Sequence, residues 1–185
     1  MRSRAKPRVL ATRLLARSWR VEFFEDTIRD PAGNTAAYAR LKVPDFAAAV
    51  AVRERDGKIP LVKQYRHGAR REFWELPAGF IERKETPLAC IKREFSEEVG
   101  FKLTNPKLIV RLYPSPARSP QRAYIFLGKI GRRTKRKPDS TETLTVDFFS
   151  KKQAFKLLSE RIASTHLLAF LLCVAGDSRK DLLLM

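Results

Sequence analysis

The stretch that most constrains this chain is residues 79–101, GFIERKETPLACIKREFSEEVGF, because it predicts one helix with both ends defined. Thr86 suits the N-cap, and Pro87 suits the first helical position, where its missing N–H costs nothing. Gly100 can take the left-handed conformation that closes a helix. Leu88, Ile91, Phe95 and Val99 recur at helical spacing, which predicts one apolar stripe facing a core. Glu94, Glu97 and Glu98 stand at i, i+3 and i+4, so at ~100° per residue they share about a third of the helix circumference.

Carboxylates that close repel, by roughly 1 kcal/mol at ~4 Å in water and more as the dielectric falls. A divalent cation reverses the sign of that interaction, and carboxylate oxygens suit a hard ion such as Mg²⁺ or Mn²⁺. An isolated acidic cluster is more often a solvated helix face. Here the cluster sits in a chain of formal charge +18, with 38 Lys and Arg against 20 Asp and Glu. Gly79, Glu85 and Arg93 also stand at fixed distances before it.

On these residues the stretch resembles the signature of the Nudix hydrolases. Gly79, Glu85, Arg93, Glu94, Glu97, Glu98 and Gly100 meet its fixed positions, and Phe95 and Phe101 fill its two aliphatic slots. The resemblance implies an α/β Nudix fold, a mixed β-sheet sandwiched between α-helices. It also implies that Glu94 and Glu98 bind Mg²⁺ or Mn²⁺, that Glu97 binds a second ion or its water, and that the Ala78 carbonyl completes the shell. Glu85 would then orient Arg93 rather than react.

The flanks are similar to one branch, the ADP-ribose pyrophosphatases. Lys63-Gln64-Tyr65-Arg66, Arg71 and Glu75-Leu76-Pro77-Ala78-Gly79 match its pattern, as does Pro116, sixteen residues after Gly100. This branch implies a nucleoside diphosphate sugar as substrate and a homodimer that exchanges the N-terminal β unit. It places Arg66 and Arg71 on the substrate phosphates, a role suited to bidentate guanidinium groups, with Glu75 beside them. Glu142 is the candidate general base, and Glu97 the next. Three departures leave the sugar open: Lys84 replaces a glycine before Glu85, Ala117 a glycine, and Gln121 a common glutamate.

Residues 1–45 are expected to form a basic arm and an N-terminal antiparallel β-hairpin extension, and 46–185 the Nudix domain. The hairpin strands are predicted at 20–29 and 35–43 around the turn Asp30-Pro31-Ala32-Gly33-Asn34. Further strands follow on either side of Asp56-Gly57, at 72–76, from Pro106, from Gln121, and at 143–150. Lys151 to Ala175 predicts a helix or broken helix pair covering the sheet. Residues 129–137 carry six basic side chains, expected as a loop that draws in anionic substrate.

Two cysteines, Cys90 and Cys173, argue against a disulfide framework and for a reducing cytoplasm. Residues 1–20 hold seven basic residues and no acid, a transit-peptide composition, but they run into a strand pattern without a cleavage site. No apolar run reaches the ~18–20 residues of a membrane span. The net charge also permits nucleic acid as a partner, through a capped RNA or nucleoside triphosphate substrate or a non-catalytic binding module. That partner is not favoured, since a mere binder has no need of all three glutamates.

Overall fold

In the structure, a computed structural model, the predicted helix is α1 (Pro87–Val99). Residues 6–137, 144–160 and 164–177 are described below. Thr86 Oγ1 accepts the Ala89 N–H at 3.1 Å, and Gly100, at φ 79°, closes the helix with its N–H on the Ser96 carbonyl. The buried side differs from the predicted stripe in one respect. Ile91, Phe95 and Val99 are buried, but Leu88 is 40% exposed and Cys90 is fully buried instead. That side centres on Ile91 and Glu98, seven residues apart and therefore nearly in line, and Leu88 in the first turn lies off this line.

The partner of α1 is β4 (Phe46–Val52), a strand of small residues buried on both faces. Ala47, Ala49 and Ala51 pack against Cys90, Ile91, Phe95 and Val99. The alternate residues Ala48 and Val50 belong to a second core with Ala154, Leu158, Ala169, Phe170 and Cys173. Those five come from α2 (Lys151–Glu160) and α3 (Ser164–Asp177), so helices cover both faces of the sheet, as expected for the α/β sandwich. Burial of a side chain such as Phe95 or Phe170 stabilises by about 1.5–3 kcal/mol, and these two layers carry most of that gain.

The central sheet is mixed, with strand order β7-β4-β9-β8, where β7 is Ala78–Phe80, β8 is Phe101–Leu112 and β9 is Ala123–Arg133. β4 runs parallel to β9 and antiparallel to β7. β8 starts at Phe101, directly after the helix, rather than at Pro106. Asn105, at φ 48°, and Pro106 sit in a register shift of this edge strand, where a bulge tolerates both. β9 continues to Arg133, so the first part of the expected basic loop is strand. A second antiparallel sheet has the order β10-β5-β6, formed by β5 (Ile59–Arg66), β6 (Arg71–Glu75) and β10 (Thr145–Phe149).

Residues up to Pro44, with Tyr113–Arg122, form a separate compact unit. Its hairpin strands are β2 (Val21–Arg29) and β3 (Thr35–Lys42), but part of the basic arm, Arg8–Ser18, is also a strand, β1, giving three strands rather than a hairpin. One polar cluster ties the three together. Asp26 on β2, 6% exposed, accepts Thr12 Oγ1 of β1 at 2.7 Å and Arg40 Nε of β3 at 2.6 Å. Within the same unit Gln121, which stands where a glutamate is common, donates its Nε2 to the Pro44 carbonyl at 2.6 Å. Among the described residues no helix is long and apolar enough to cross a membrane.

Candidate functional site

The site is built where β7 passes the middle of α1. Gly79 brings its backbone so close to the helix that a Cβ there would lie 2.0 Å from Glu94 Cδ. One residue earlier, the Ala78 N–H donates to Glu98 Oε2 at 3.0 Å, which satisfies a carboxylate otherwise 6% exposed. The Ala78–Gly79 peptide therefore seats two of the three helix carboxylates, Glu94 by contact and Glu98 by hydrogen bond.

Arg93 gathers the remaining acids. Its Nε and Nη2 donate to the two oxygens of Glu85, each at 3.0 Å, in a two-pronged pair. Nη1 reaches Glu94 Oε1 at 2.7 Å and Glu97 Oε2 at 3.1 Å, and Nη2 also reaches the Phe80 carbonyl at 3.3 Å. The guanidinium beside Glu85 holds that carboxyl below its usual range, and the same pairing raises the Arg93 pKa. Cys90 lies beneath, its Sγ 3.4 Å from the Gly79 and Phe80 carbonyls; burial pushes its thiol up to about 12, so it is an inert filler.

Among the described residues, no three His, Cys, Asp or Glu side chains converge as a ready metal cluster. The Arg93 guanidinium supplies the positive charge among Glu85, Glu94 and Glu97. The donor set nevertheless fits a hard divalent cation. Glu94 and Glu98 meet at one backbone step, Glu97 is one turn from Glu94, and every donor, including the Ala78 carbonyl, is oxygen. Gly79→Ala tests the seat. The new methyl displaces Glu94, whose flexible end can rotate away, so the fold should survive within about 1 kcal/mol while turnover falls about 10²-fold. Unchanged turnover in a steady-state assay would mean that the seat does not matter.

Lys84, the residue that departs from the family glycine, has φ 69°. Glycine is favoured there because a side chain in the left-handed region costs about 1–2 kcal/mol. Lys84→Gly should therefore raise unfolding stability by about 1 kcal/mol in urea titration. A loss would show that the lysine side chain compensates for its backbone.

The far end of the helix is closed by the basic segment after β9. Thr134 N–H donates to the Gly100 carbonyl at 2.8 Å and Lys137 N–H to the Glu97 carbonyl at 3.1 Å. Ser96 Oγ donates to Thr134 Oγ1 at 2.9 Å. The Arg136 side chain lies against Gly100 here, placing a positive charge near the negative end of the helix dipole.

The expected substrate residues occupy the β5–β6 hairpin. Arg66 and Arg71 are directly opposite in its register, an unfavourable juxtaposition of like charges that an anion between them would relieve. Glu75, 4% exposed, pairs with Arg66 through Nε at 3.0 Å and through Nη2. Glu72 pairs with Lys63 at 2.5 Å. Glu142 lies outside the described residues. His166 on α3 went unnoticed in the sequence. It accepts the Leu76 N–H at 3.2 Å, and a lone histidine in an apolar helix gives no signal of such a contact.

A family model described as NUDIX domain matches residues 43–170. An ADP-ribose pyrophosphatase of Bacillus subtilis (strain 168) is 29% identical over 143 residues, 76% of this chain and 77% of that protein. An ADP-ribose pyrophosphatase of Mycobacterium tuberculosis is 36% identical over 104 residues, 55% of this chain but 49% of that protein. A solved structure described as an ADP compounds hydrolase has the same fold, with a TM-score of 0.82 at 20% identity over 97% of this chain and 100% of the other. With the signature helix and its flanks all inside residues 43–170, the chain belongs to the Nudix hydrolase family and resembles its ADP-ribose pyrophosphatases.

Proposed function

We propose that this enzyme adds water across the diphosphate of ADP-ribose or a related nucleoside diphosphate sugar, giving a nucleoside monophosphate and a sugar phosphate. The observation that carries this reading is the seating of Glu94 and Glu98 on the Ala78–Gly79 step beside the Arg93 clamp. Nudix hydrolases generally use divalent metal ions. Mg²⁺ or Mn²⁺, held by Glu94, Glu97, Glu98 and the Ala78 carbonyl, would neutralise phosphate charge and lower the pKa of a bound water.

The chain's own residues do the rest. Arg66 and Arg71 hold the phosphates from the hairpin, and Glu75 fixes the direction of Arg66. Glu85 keeps Arg93 in place, and Arg93 Nη1 holds the carboxylates of Glu94 and Glu97 together. Glu142, or failing it Glu97, removes the proton of the attacking water. The relatives support the substrate class, since they include ADP-ribose pyrophosphatases and a mouse ADP-sugar pyrophosphatase that is 33% identical over 110 residues. We further propose that the N-terminal β unit, within residues 1–45, mediates a homodimer, and that residues 46–185 are the catalytic domain.

The deciding experiment is a panel of nucleotide sugars, nucleoside triphosphates and capped RNA assayed with Mg²⁺ and with Mn²⁺, the products separated by chromatography. Release of AMP and ribose 5-phosphate from ADP-ribose is the expected result. Cleavage confined to triphosphates or caps, or RNA retention on a filter without hydrolysis, would replace this reading.

A further inference from the structure

α3 carries His166 to the end of the β5–β6 hairpin. Its Nδ1 accepts the Leu76 N–H at 3.2 Å, and its Nε2 lies 3.9 Å from Glu75 Oε2, the oxygen that Arg66 Nη2 also engages. The side chain is 12% exposed and stacks on Phe46, with ring centroids 6.3 Å apart. Since Nδ1 is the acceptor, the neutral ring carries its proton on Nε2, on the Glu75 side. Burial holds the ring below its usual pKa, and Arg66 acts the same way against the opposing effect of Glu75, so the ring stays neutral and Nδ1 stays an acceptor. Glu75 therefore lies between two groups, a guanidinium that it aims and an imidazole from another element that fixes the next peptide.

We propose that His166 is a positioning residue for substrate binding: by anchoring the Glu75–Leu76 step it fixes the carboxylate that directs Arg66 to the substrate's phosphates. This rests on the assignment of Arg66 to those phosphates. The covering helix α3 thereby takes part in phosphate recognition, although it contributes no residue to the signature stretch.

The test compares His166→Leu, which removes both nitrogens, with His166→Asn, whose amide oxygen can still accept the Leu76 N–H. Each is made in the wild-type chain and in Arg66→Ala. The readouts are ADP affinity by titration calorimetry with Mg²⁺ and steady-state kinetics on ADP-ribose. His166→Leu should weaken ADP about tenfold and raise KM similarly, with kcat changed far less. His166→Asn should recover most of that loss, and His166→Leu should add nothing once Arg66 is alanine. Wild-type ADP affinity in His166→Leu, no recovery by His166→Asn, or an undiminished loss in the Arg66→Ala background would each overturn the proposal, the last by showing a merely structural role.

Should His166→Leu fail to fold, His166→Gln, which gives up the Leu76 contact but keeps a polar group near the Nε2 position, carries the same expectation. ADP binding that responds as expected in a protein unable to cleave ADP-ribose removes the proposed reaction and leaves this inference standing. Unresponsive ADP binding in an active enzyme removes only the inference.

Discussion

Glu98→Gln is expected to abolish useful turnover, by about 10³-fold, while leaving the fold intact. Two properties of the residue separate these effects. Its Oε2 accepts the Ala78 N–H at 3.0 Å, and a glutamine keeps an oxygen of the same reach for that bond. The side chain is buried, so a neutral amide of equal size costs no cavity and removes the need to bury a charge. What disappears is the negative charge available to a cation beside the diphosphate. Thermal unfolding should match the wild type within a few degrees, and titration with Mg²⁺ should fail to restore the rate. Near-normal turnover would exclude Glu98 from the metal-binding set.

Arg93→Ala should be costly in the opposite way, losing stability as well as rate. The guanidinium is shared by Glu85, Glu94 and Glu97, and its removal leaves three acids at close quarters. Breaking a buried pair costs about 3–5 kcal/mol, and the 29% exposure of Arg93 reduces this to about 2–3 kcal/mol. Arg93→Lys should recover part of the loss, because an ammonium supplies charge but cannot match both oxygens of Glu85. Urea denaturation reads both variants, and a loss below about 1 kcal/mol for alanine would contradict the clamp.

The same pair fixes a pH dependence. Arg93 lowers the folded pKa of Glu85 from its ordinary 4.5, so the unfolded chain takes up the proton first as pH falls. The stabilisation is complete above about pH 4.5 and is lost as pH drops through the lowered folded value. In Arg93→Ala this part of the acid-induced loss should vanish.

Much of the site could be read from local sequence because α1 is a local object. Thr86, Pro87 and Gly100 act on their own neighbours, and the spacing of Glu94, Glu97 and Glu98 fixes their shared side whatever packs against them. The exposure of Leu88 was not legible in the same way, since it depends on where β4 and β7 lie against the helix. Glu98 was expected from sequence as a metal ligand, but not as a buried side chain. It is buried because β7, a strand of three residues without a clear sequence pattern, presents the Ala78 N–H to it.

Residues 79–101 alone determined a capped helix, an acidic side and a family, because capping and helical periodicity act over a few residues. Tertiary structure decided the parallel pairing of β4 with β9, the extension of β1 into a third strand, and the meeting of His166 with Glu75 and Leu76. These contacts join residues up to about ninety positions apart, and they form only when burial of the two core layers offsets the entropy of bringing distant segments together.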